Sequence, residues 1–401
     1  MTENGNTYST PPTSPLRQLA RLMGRELRRL SREPICWFCM IVAPLFCYVF
    51  FTTLMHSGLP TDMPLGLVDN DRTSTSRNLA RNLDAFQMTA IKQQYASVSE
   101  ARRAVQRGEI YGFYYIPKGL SRKAQRQEVP TLSFYTNYTY LVAGSLIYRD
   151  MRTMSELAAG AAGRTALYAR GATEGQAMAF LQPIVIDTHA ISNPWLNYNI
   201  YLSNTILPGL LMLFIFMVTV YSLGMEVKNG TARQWLWLAG LSMPKALTGK
   251  LLPQTLIFGI MGLVYVILLY GVLHFPCRSG MPTMILVMLL GVLAAQGLGV
   301  FMFAMLPSLR MGLSFASLWG VISFSICGMS FPVMAMHPSL QGLSLLFPLR
   351  HYFLLYVNCA LDGYPLLNAW PYVAGLCAFA LLPALLLVRL KNVMLTTPYL
   401  P

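Results

Sequence analysis

The sequence predicts an α-helical polytopic membrane protein with six transmembrane helices. Both termini are expected in the cytoplasm, and an extracytoplasmic α/β domain is expected as an insertion between the first and second transmembrane helices. Three observations support this architecture: the composition, the number of long apolar windows and the placement of basic residues. Of the 401 residues, 54% are hydrophobic and only 11% are charged, which is far from the balance of a soluble globular protein.

Six apolar windows are long enough to cross the hydrocarbon core of a bilayer, which takes about 20 helical residues. They cover 35–54, 204–225, 251–275, 282–306, 311–336 and 370–389. The first window follows a long basic segment and is of spanning length, so we expect it to remain in the chain as an anchor rather than be cleaved. The windows predict a first transmembrane helix over 34–55 and five more over 204–390.

Basic residues are concentrated in the flanks and short loops that would lie on one side of the membrane. They cluster in 17–32 and 226–250 and return at Arg310, Arg389 and Lys391. Because short loops and span flanks rich in Lys and Arg stay in the cytoplasm, both termini and the tail at 391–401 are expected inside and 56–203 outside. The chain is therefore expected in the cell inner membrane, and its net charge of +14 needs no nucleic-acid partner.

The chain before the first window has two parts. Residues 1–15 are polar and rich in Pro, Ser and Thr, which predicts a disordered tail. Residues 16–33 predict an amphipathic interfacial helix, with leucines on one side and guanidinium groups facing anionic membrane lipids on the other. The arginines of this helix are Arg17, Arg21, Arg25, Arg28 and Arg32. A solvated basic helix that docks on protein is the alternative.

Residues 56–203 predict a separate α/β domain, because strand-like and helix-like stretches alternate there. Strands are expected at 63–71, 111–117, 131–137 and 184–194, and helices at 74–86, 97–108 and 139–182. The last stretch predicts one or two long helices, interrupted around the glycines at 160, 163, 171 and 175. The second of these helices has clear end signals: Ser97 and Glu100 stand at capping-box spacing, and Gly108 follows the last turn.

A polar stretch at 226–249 separates the second and third windows. Glu226 ends the second window, and Asn229–Gly230 predicts a turn. Thr231 and Gln234 have capping-box spacing, which predicts a short helix whose tryptophans suit the headgroup level. The tryptophans and the lysine that opens the next window are Trp235, Trp237 and Lys250. The stretch therefore predicts a short rigid element that faces the cytosol and is available to a partner.

The segment 337–361 is apolar but contains Pro338, Pro348 and Arg350. A central arginine is costly in hydrocarbon, so the segment predicts a re-entrant hairpin rather than a seventh span. Arg350 is expected to orient this hairpin by reaching the outer headgroups. Contact with an anionic substrate is the alternative.

Motifs of enzymes and of ATP binding are missing from the sequence. The nearest approach to a P-loop, "PKALTGKL", has Pro244 at the first glycine position and Leu251 in place of the hydroxyl residue. The five histidines are scattered, so no catalytic residue, metal or cofactor is predicted. After residue 203 the only acidic residues are Glu226 and Asp362, which disfavours an ion-driven carrier that would need acids inside its spans.

Three stretches of the sequence, in order, resemble permeases of type-2 ATP-binding-cassette transporters. "MEVKNGTARQWLWLAGLSMPKALTGKLLP" is similar to their cytoplasmic loop, although Val227 stands where the family often has a charge. "LGLVDNDRTSTSRNLARNL" is similar to the start of the large periplasmic domain found after the first helix in an exporter branch. "GMSFPVMAMHPSLQGLSLLFPLRHYFLLYVNCALDGYPL" is similar to the region from the fifth span through the re-entrant hairpin. The loop residues that match are Glu226, Asn229, Gly230, Thr231, Pro244, Gly249 and Lys250.

The resemblance implies the permease subunit of an exporter, not an enzyme. Two permeases, identical or paired with a sister subunit, would work with two cytosolic ATPase subunits, and a periplasmic adaptor and an outer-membrane channel are frequent further partners. Movement driven by ATP would pass through the interfacial helix and the loop, here called the coupling loop. The coupling-loop residues expected to take part are Glu226, Lys228, Asn229, Gly230, Thr231 and Arg233. A membrane-anchored receptor or assembly protein acting through the external domain is the rival reading, and six spans are more than it needs.

Overall fold

The computed structural model describes residues 14–85, 88–126, 128–182, 189, 193 and 197–396. The chain divides into two compact units. The helical unit contains Met1–His56 and Ala190–Pro401, and the sheet unit contains Ser57–His189. The predicted tail at 1–15 and the predicted strand at 184–194 lie almost entirely outside the described residues.

The described part of the chain is mostly helical. In chain order its helices are α1 Pro15–Arg32, α2 Pro34–Leu54, α3 Ser74–Leu83, α4 Val98–Gln106, α5 Leu120–Gln125, α6 Leu141–Ala169, α7 Glu174–Leu181, α8 Tyr198–Lys228, α9 Ala232–Leu238, α10 Met243–Val272, α11 Met281–Met305, α12 Leu309–Ile326, α13 Pro338–Ser344, α14 Pro348–Leu355 and α15 Trp370–Thr396. The strands are β1 Met63–Asp69, β2 Thr89–Gln94, β3 Gly112–Ile116 and β4 Ser133–Thr136.

Six of the described helices are long and apolar enough to cross a membrane: α2, α8, α10, α11, α12 and α15. They coincide with the six predicted windows, so the multi-pass prediction is confirmed. The fifth window was predicted too long, because α12 ends at Ile326 and the chain turns at Gly328, whose φ is +103°. The C-terminal boundary also differs: 391–401 was predicted as a tail, but α15 continues to Thr396 because Leu390 and Met394 are buried.

The core of the helical unit is built around α8, which packs against α2, α11 and α12. Asn197 starts this helix by accepting hydrogen bonds from the amides of Asn199 and Ile200, which satisfies two of the free donors of the first turn. Small residues allow close helix contacts, as expected among membrane spans. At Gly297 of α11, for example, an added Cβ would clash with the backbone of α15.

The sheet unit contains a four-stranded sheet in the order β2-β1-β3-β4. β1 runs parallel to both β2 and β3, and β4 pairs antiparallel with β3. One apolar cluster lies between the sheet and α3 and α6, and a second lies under α4 on the opposite face. α6 runs unbroken through Gly160 and Gly163, where an interruption was expected, and ends only at Ala169.

The helix-end signals in the sheet unit are only partly confirmed. Ser97 accepts the amide hydrogen of Glu100, and Gly108 has a φ of +75° after α4. The Glu100 carboxylate, however, accepts from the amide of Ala96 rather than from that of Ser97. The capping box is therefore half formed.

Candidate functional site

The helix α1 lies against the beginning of α10, and the contact is very close. Leu22, Glu26 and Leu30 form the buried face of α1. Opposite Leu22 stands Gly249, where an added Cβ would lie only 2.6 Å from the Leu22 Cβ. Glycine at this position therefore allows the two backbones to approach, which brings the side chain of Glu26 into the interior of the helical unit.

The leucines of α1 share one side of the helix, as expected, but protein covers only part of that side. Leu22 and Leu30 are buried against protein, whereas Leu16 and Leu27 are 78% and 56% exposed. The exposed leucines adjoin the exposed arginines Arg17, Arg21, Arg28 and Arg32. α1 thus has a buried face, an exposed apolar stripe and an exposed basic stripe. Arg25, predicted on the basic face, instead lies partly buried beside the interior.

Glu26 is 1% exposed and has a complete set of donors from two spans. Its carboxylate accepts hydrogen bonds from Lys250 Nζ at 2.7 Å, from Gln254 Nε2 at 3.0 Å and from Ser222 Oγ at 2.8 Å. Gln254 Nε2 also donates to Ser222 Oγ at 2.9 Å. These contacts join α1 to α8 and α10.

Glu226, near the end of α8, is fully buried and accepts from four side chains. Arg25 donates to both carboxylate oxygens at 2.8 and 2.9 Å, and Arg29 donates to Oε1 at 2.6 Å. Lys250 Nζ donates to Oε1 at 2.8 Å, and Thr231 Oγ1 donates to Oε2 at 2.5 Å. A carboxylate with charge-assisted bonds from three cations is held firmly in place.

Glu26, Glu226 and their partners form a single network, here called the buried charge cluster. Its members are Arg25, Glu26, Arg29, Ser222, Glu226, Thr231, Lys250 and Gln254. Lys250 is shared by both carboxylates and lies 5.4 Å from the ring centre of the buried Trp235. Three cations face two carboxylates, so removal of either buried carboxylate would leave Lys250 and its neighbours short of a counter-charge, at a cost of about 3–5 kcal/mol.

Arg25 connects the buried charge cluster to the exposed side of α1, with 23% of its side chain exposed. Partial burial lowers the pKa of its guanidinium, but hydrogen bonding to Glu226 and the charges of Glu226 and Glu26 outweigh burial and raise this pKa above its ordinary value. Arg25 therefore stays charged at every physiological pH.

The turn of the coupling loop, next to this cluster, is exposed. Lys228, Asn229 and Gly230 are exposed, and Gly230 adopts a φ of +65° that favours glycine. The predicted capping box of α9 is wrong, because the Thr231 hydroxyl accepts no hydrogen bond from the amides of the first turn. It donates instead to the carboxylate of Glu226. Glu226 is buried and needs donors from the protein, whereas the free amides of the exposed first turn of α9 can bind water.

Two further predictions for this region are wrong. Trp235 was placed at the headgroup level, but it is 1% exposed and packs in the core. Lys250 was predicted to open the third span, but α10 begins at Met243, so Lys250 lies two turns inside the helix. Both differences have one cause: Lys250 and Trp235 belong to the interior around Glu226.

The loop is also tied to the C-terminal helix. Arg233 of α9 donates from Nε and Nη2 to the carbonyl oxygen of Leu395 at 3.3 and 3.2 Å. α1, α9 and the last turns of α15 therefore gather at the same end of the helical unit. Six spans between α1 and Leu395 require this arrangement, because an even number of crossings returns the chain to its starting side.

The segment predicted as a re-entrant hairpin contains the short helices α13 and α14. Pro348 occupies the first turn of α14, where its missing N–H needs no partner. Contact of Arg350 with the outer headgroups stays a prediction. Arg350 Nη1 donates to the carbonyl oxygen of Cys327 at 2.8 Å, just after α12. It therefore joins α14 to the end of the fifth span, because a carbonyl at a helix C-terminus attracts a cation.

Sequence reasoning missed Glu26, Arg29, Ser222 and Gln254. A signal for Glu26 was present, since it lies between Leu22 and Leu30 at intervals of four residues and hence on the leucine side of the helix. Ser222 likewise precedes Glu226 by one turn, and Gln254 follows Lys250 by one turn. Within the described ranges, no group of three or more His, Cys, Asp or Glu residues is placed to hold a metal ion.

The membrane-spanning part of the chain matches one known protein family. No match is found among individually curated proteins. Residues 34–389 match the family described as ABC-2 family transporter protein, which covers the chain from the start of α2 into α15. The chain belongs to the ABC-2 family of transporter proteins, as an ABC-2 type permease.

Proposed function

We propose that this chain is the permease subunit of an exporter that moves its cargo outward across the inner membrane, driven by ATP hydrolysed on separate cytosolic subunits. One observation carries the proposal: the exposed coupling loop is attached to two spans and to α1 by the buried charge cluster. A partner that pushes on the loop would move α8 and α10 together.

The loop end of the helical unit is proposed to face the cytoplasm. The exposed arginines of α1, together with Lys228, Arg233 and Lys245 of the loop region, lie at or next to this end. A concentration of basic residues marks the cytoplasmic side of a membrane protein. The sheet unit, inserted between the first and second spans, would then lie on the opposite side, in the periplasm.

α1 is proposed to lie in the cytoplasmic membrane surface. Its exposed apolar stripe, with Leu16 and Leu27, suits the acyl boundary, and its exposed arginines suit anionic headgroups. Glu26 then anchors the inner side of α1 to α8 and α10. In this arrangement a movement of α8 and α10 would be transmitted through α1 to the membrane surface and to the ATPase partner.

The buried charge cluster would act as a rigid joint in this mechanism. Charged groups with several mutual hydrogen bonds fix relative positions more strictly than apolar contacts do, because each displacement leaves a buried donor or acceptor unpaired. A rigid joint lets a small displacement at the loop become a rigid-body movement of spans. The chain supplies the gate, and a second permease, identical or a sister chain, would supply the other half.

Purification of the complex tests this proposal. A tagged chain extracted from its native membranes in mild detergent is expected to bring with it a P-loop ATPase chain, and the complex is expected to hydrolyse ATP in a vanadate-sensitive way. The chain stripped of its partners is expected to hydrolyse none. Nucleotide hydrolysis by the stripped chain, or a functional transporter without an ATPase chain, would show that the proposal is wrong.

A further inference from the structure

The sheet unit contains an open cleft of about 760 Å³ at the carboxyl ends of its parallel strands. Its floor comes from the ends of β1 and β2, and one wall comes from α3. In open α/β sheets, ligands bind at this edge, and the volume is within the range of small-molecule sites. The lining residues are Leu67, Asp69, Arg72, Arg77, Ala80, Arg81, Asp84, Ile91, Gln94, Tyr95 and Ala96.

The neighbouring crevice between β1 and β3 is already filled by the chain itself. The carboxylate of Asp71 accepts from the amides of Gly119 and Ser121 at 2.8 and 3.1 Å. Asp71 thus occupies the position where the strand order reverses and where a ligand would ordinarily be expected. The open space is therefore the cleft over β1 and β2.

Three guanidinium groups line this cleft: Arg72, Arg77 and Arg81. Across the described ranges none of them forms a salt bridge with a carboxylate. Arg77 spends one N–H on the carbonyl oxygen of Arg72, and Arg81 spends one on Asn78. Since each guanidinium has five N–H donors, most donors remain for a ligand.

The two acidic residues of the cleft are committed elsewhere. Asp69 accepts from the amides of Asp71 and Arg72 at 2.9 and 3.0 Å and from Ser76 Oγ at 2.7 Å. Asp84 accepts from the amide of Ile91 at 2.6 Å. Both carboxylates are held by neutral donors of the chain and keep their charges, so three arginines against two aspartates leave the lining with a net charge of +1.

The backbone at Arg72 is also unusual, with a φ of +50°. This left-handed conformation is disfavoured for an arginine and is most often found in glycine, asparagine or aspartate. The amides of Asp71 and Arg72 donate hydrogen bonds to the Asp69 carboxylate, which holds the turn in place. Strained positions of this kind cluster at binding sites, and here the strained residue is one of the three arginines.

We infer that this cleft binds an organic phosphate, with the guanidinium groups of Arg72, Arg77 and Arg81 on the phosphate and the apolar wall of Leu67, Ala80, Ile91 and Tyr95 on the organic part. Planar guanidinium forks match phosphate oxygens in pairs. The phosphate group can belong to a soluble metabolite or to a lipid headgroup. The site lies wholly in the sheet unit, so it stands independently of the role proposed for the coupling loop.

Titration calorimetry on the full chain in a neutral detergent tests the site, with phenyl phosphate as the probe. Saturable binding is expected, weakening as salt rises. In the double variant Arg77→Gln/Arg81→Gln the affinity is expected to fall by about tenfold or more, which is the loss of one or two charge-assisted hydrogen bonds. Tyr95→Ala is expected to weaken phenyl phosphate binding but not inorganic phosphate binding.

The matched control is Arg103→Gln/Arg122→Gln, which removes the same charge from exposed positions of the sheet unit outside the cleft. It is expected to bind phenyl phosphate as the wild type does. Equal losses in both double variants would overturn the proposal, as would the lack of saturable binding by the wild type at millimolar probe. Unchanged amide exchange in β1 and β2 shows that the variants are folded.

Short-chain phosphatidic acid, used below its micellar concentration, distinguishes the two sources of phosphate. Binding tighter than that of phenyl phosphate, and lost in Arg77→Gln/Arg81→Gln, identifies a lipid headgroup. Affinity equal to or below that of phenyl phosphate identifies a soluble organic phosphate. Binding of the lipid that the double variant leaves intact would place the lipid elsewhere and count against the site.

Discussion

At the scale of single residues, the buried charge cluster shows how one carboxylate organises its surroundings. Glu226 is fully buried and takes a hydroxyl from Thr231, a span lysine and two arginines of α1. The sequence pointed to Glu226 as one of only two acids after residue 203. Its partners on α1 could not be predicted, because contacts about 200 residues apart along the chain depend on tertiary packing.

Two arginines of α1 allow the contribution of the buried charge cluster to be measured, because Arg25 belongs to the cluster and Arg28 is exposed. Arg25→Gln removes two charge-assisted hydrogen bonds to Glu226 and is expected to destabilise the docking of α1 by about 1–3 kcal/mol. Arg28→Gln changes an exposed arginine and is expected to cost less than about 0.5 kcal/mol. The measurement is amide exchange in α1 of the purified chain.

The charge removed is the same in the two arginine variants, so a general effect of net charge would appear in both. If Arg28→Gln increases exchange in α1 as much as Arg25→Gln does, the contact with Glu226 does not hold the helix. Arg25→Lys is a third comparison. It keeps the charge but cannot form the paired bonds of a guanidinium, so an intermediate result is expected.

At the scale of elements, the spans were predictable and the helix faces were not. Long apolar runs identify spanning helices because the bilayer requires them. The faces of α1 depend on a specific partner: Leu22 and Leu30 are buried because α10 covers them, whereas Leu16 and Leu27 have no protein above them. Hydrophobic periodicity alone cannot distinguish leucines that face protein from leucines that face lipid.

The contact between α1 and α10 depends on Gly249. Gly249→Ala is expected to push α1 away, because the new Cβ would lie 2.6 Å from the Leu22 Cβ, the root of that side chain rather than a flexible end. A loss of about 1–3 kcal/mol is expected. Gly259→Ala, in the same helix, meets Leu289 at an ordinary 3.4 Å and should be neutral or stabilising.

The two glycine variants can be compared by their sensitivity to protease. Protease sensitivity of α1 in detergent-purified chain is the measurement, since a displaced α1 exposes its backbone. Gly249→Ala is expected to be cut faster than the wild type and Gly259→Ala no faster. Equal rates for the three proteins would mean that α1 tolerates displacement or is held elsewhere.

At the scale of the whole molecule, the family and the six spans were within reach of the sequence. The network that links α1, α8 and α10 was not, although half of its residues could be named: Glu226, Thr231, Arg25 and Lys250. The other half could not be named from the sequence. Its central residue, Glu26, resembled an ordinary polar interruption of the leucine side of α1. The organisation of the molecule thus depends on a charged residue in an apolar position, which is the case that pattern rules handle worst.

The last prediction concerns the transmission of movement through the whole permease. In the complex with its ATPase, vanadate trapping is expected to change amide exchange in the loop and also in α8 and α10. In Glu226→Gln, which keeps the size of the side chain but removes the charge that holds three cations, ATP hydrolysis is expected to continue while the change stays confined to the loop. Gly230→Leu, which strains the exposed turn, is expected to behave similarly.

Glu33→Gln is the matched control for the coupling prediction. Glu33 lies at the end of α1 outside the buried charge cluster, and its carboxylate accepts a long hydrogen bond of 3.5 Å from Tyr221 Oη. This variant should therefore respond to vanadate as the wild type does. All variants must reach the membrane in equal amounts, because a misfolded permease would also fail to respond. The prediction is contradicted if vanadate changes amide exchange in α8 and α10 of both Glu226→Gln and Gly230→Leu as much as in the wild type. Movement would then reach the spans without the buried charge cluster, the contact through which the loop holds α1, α8 and α10 together.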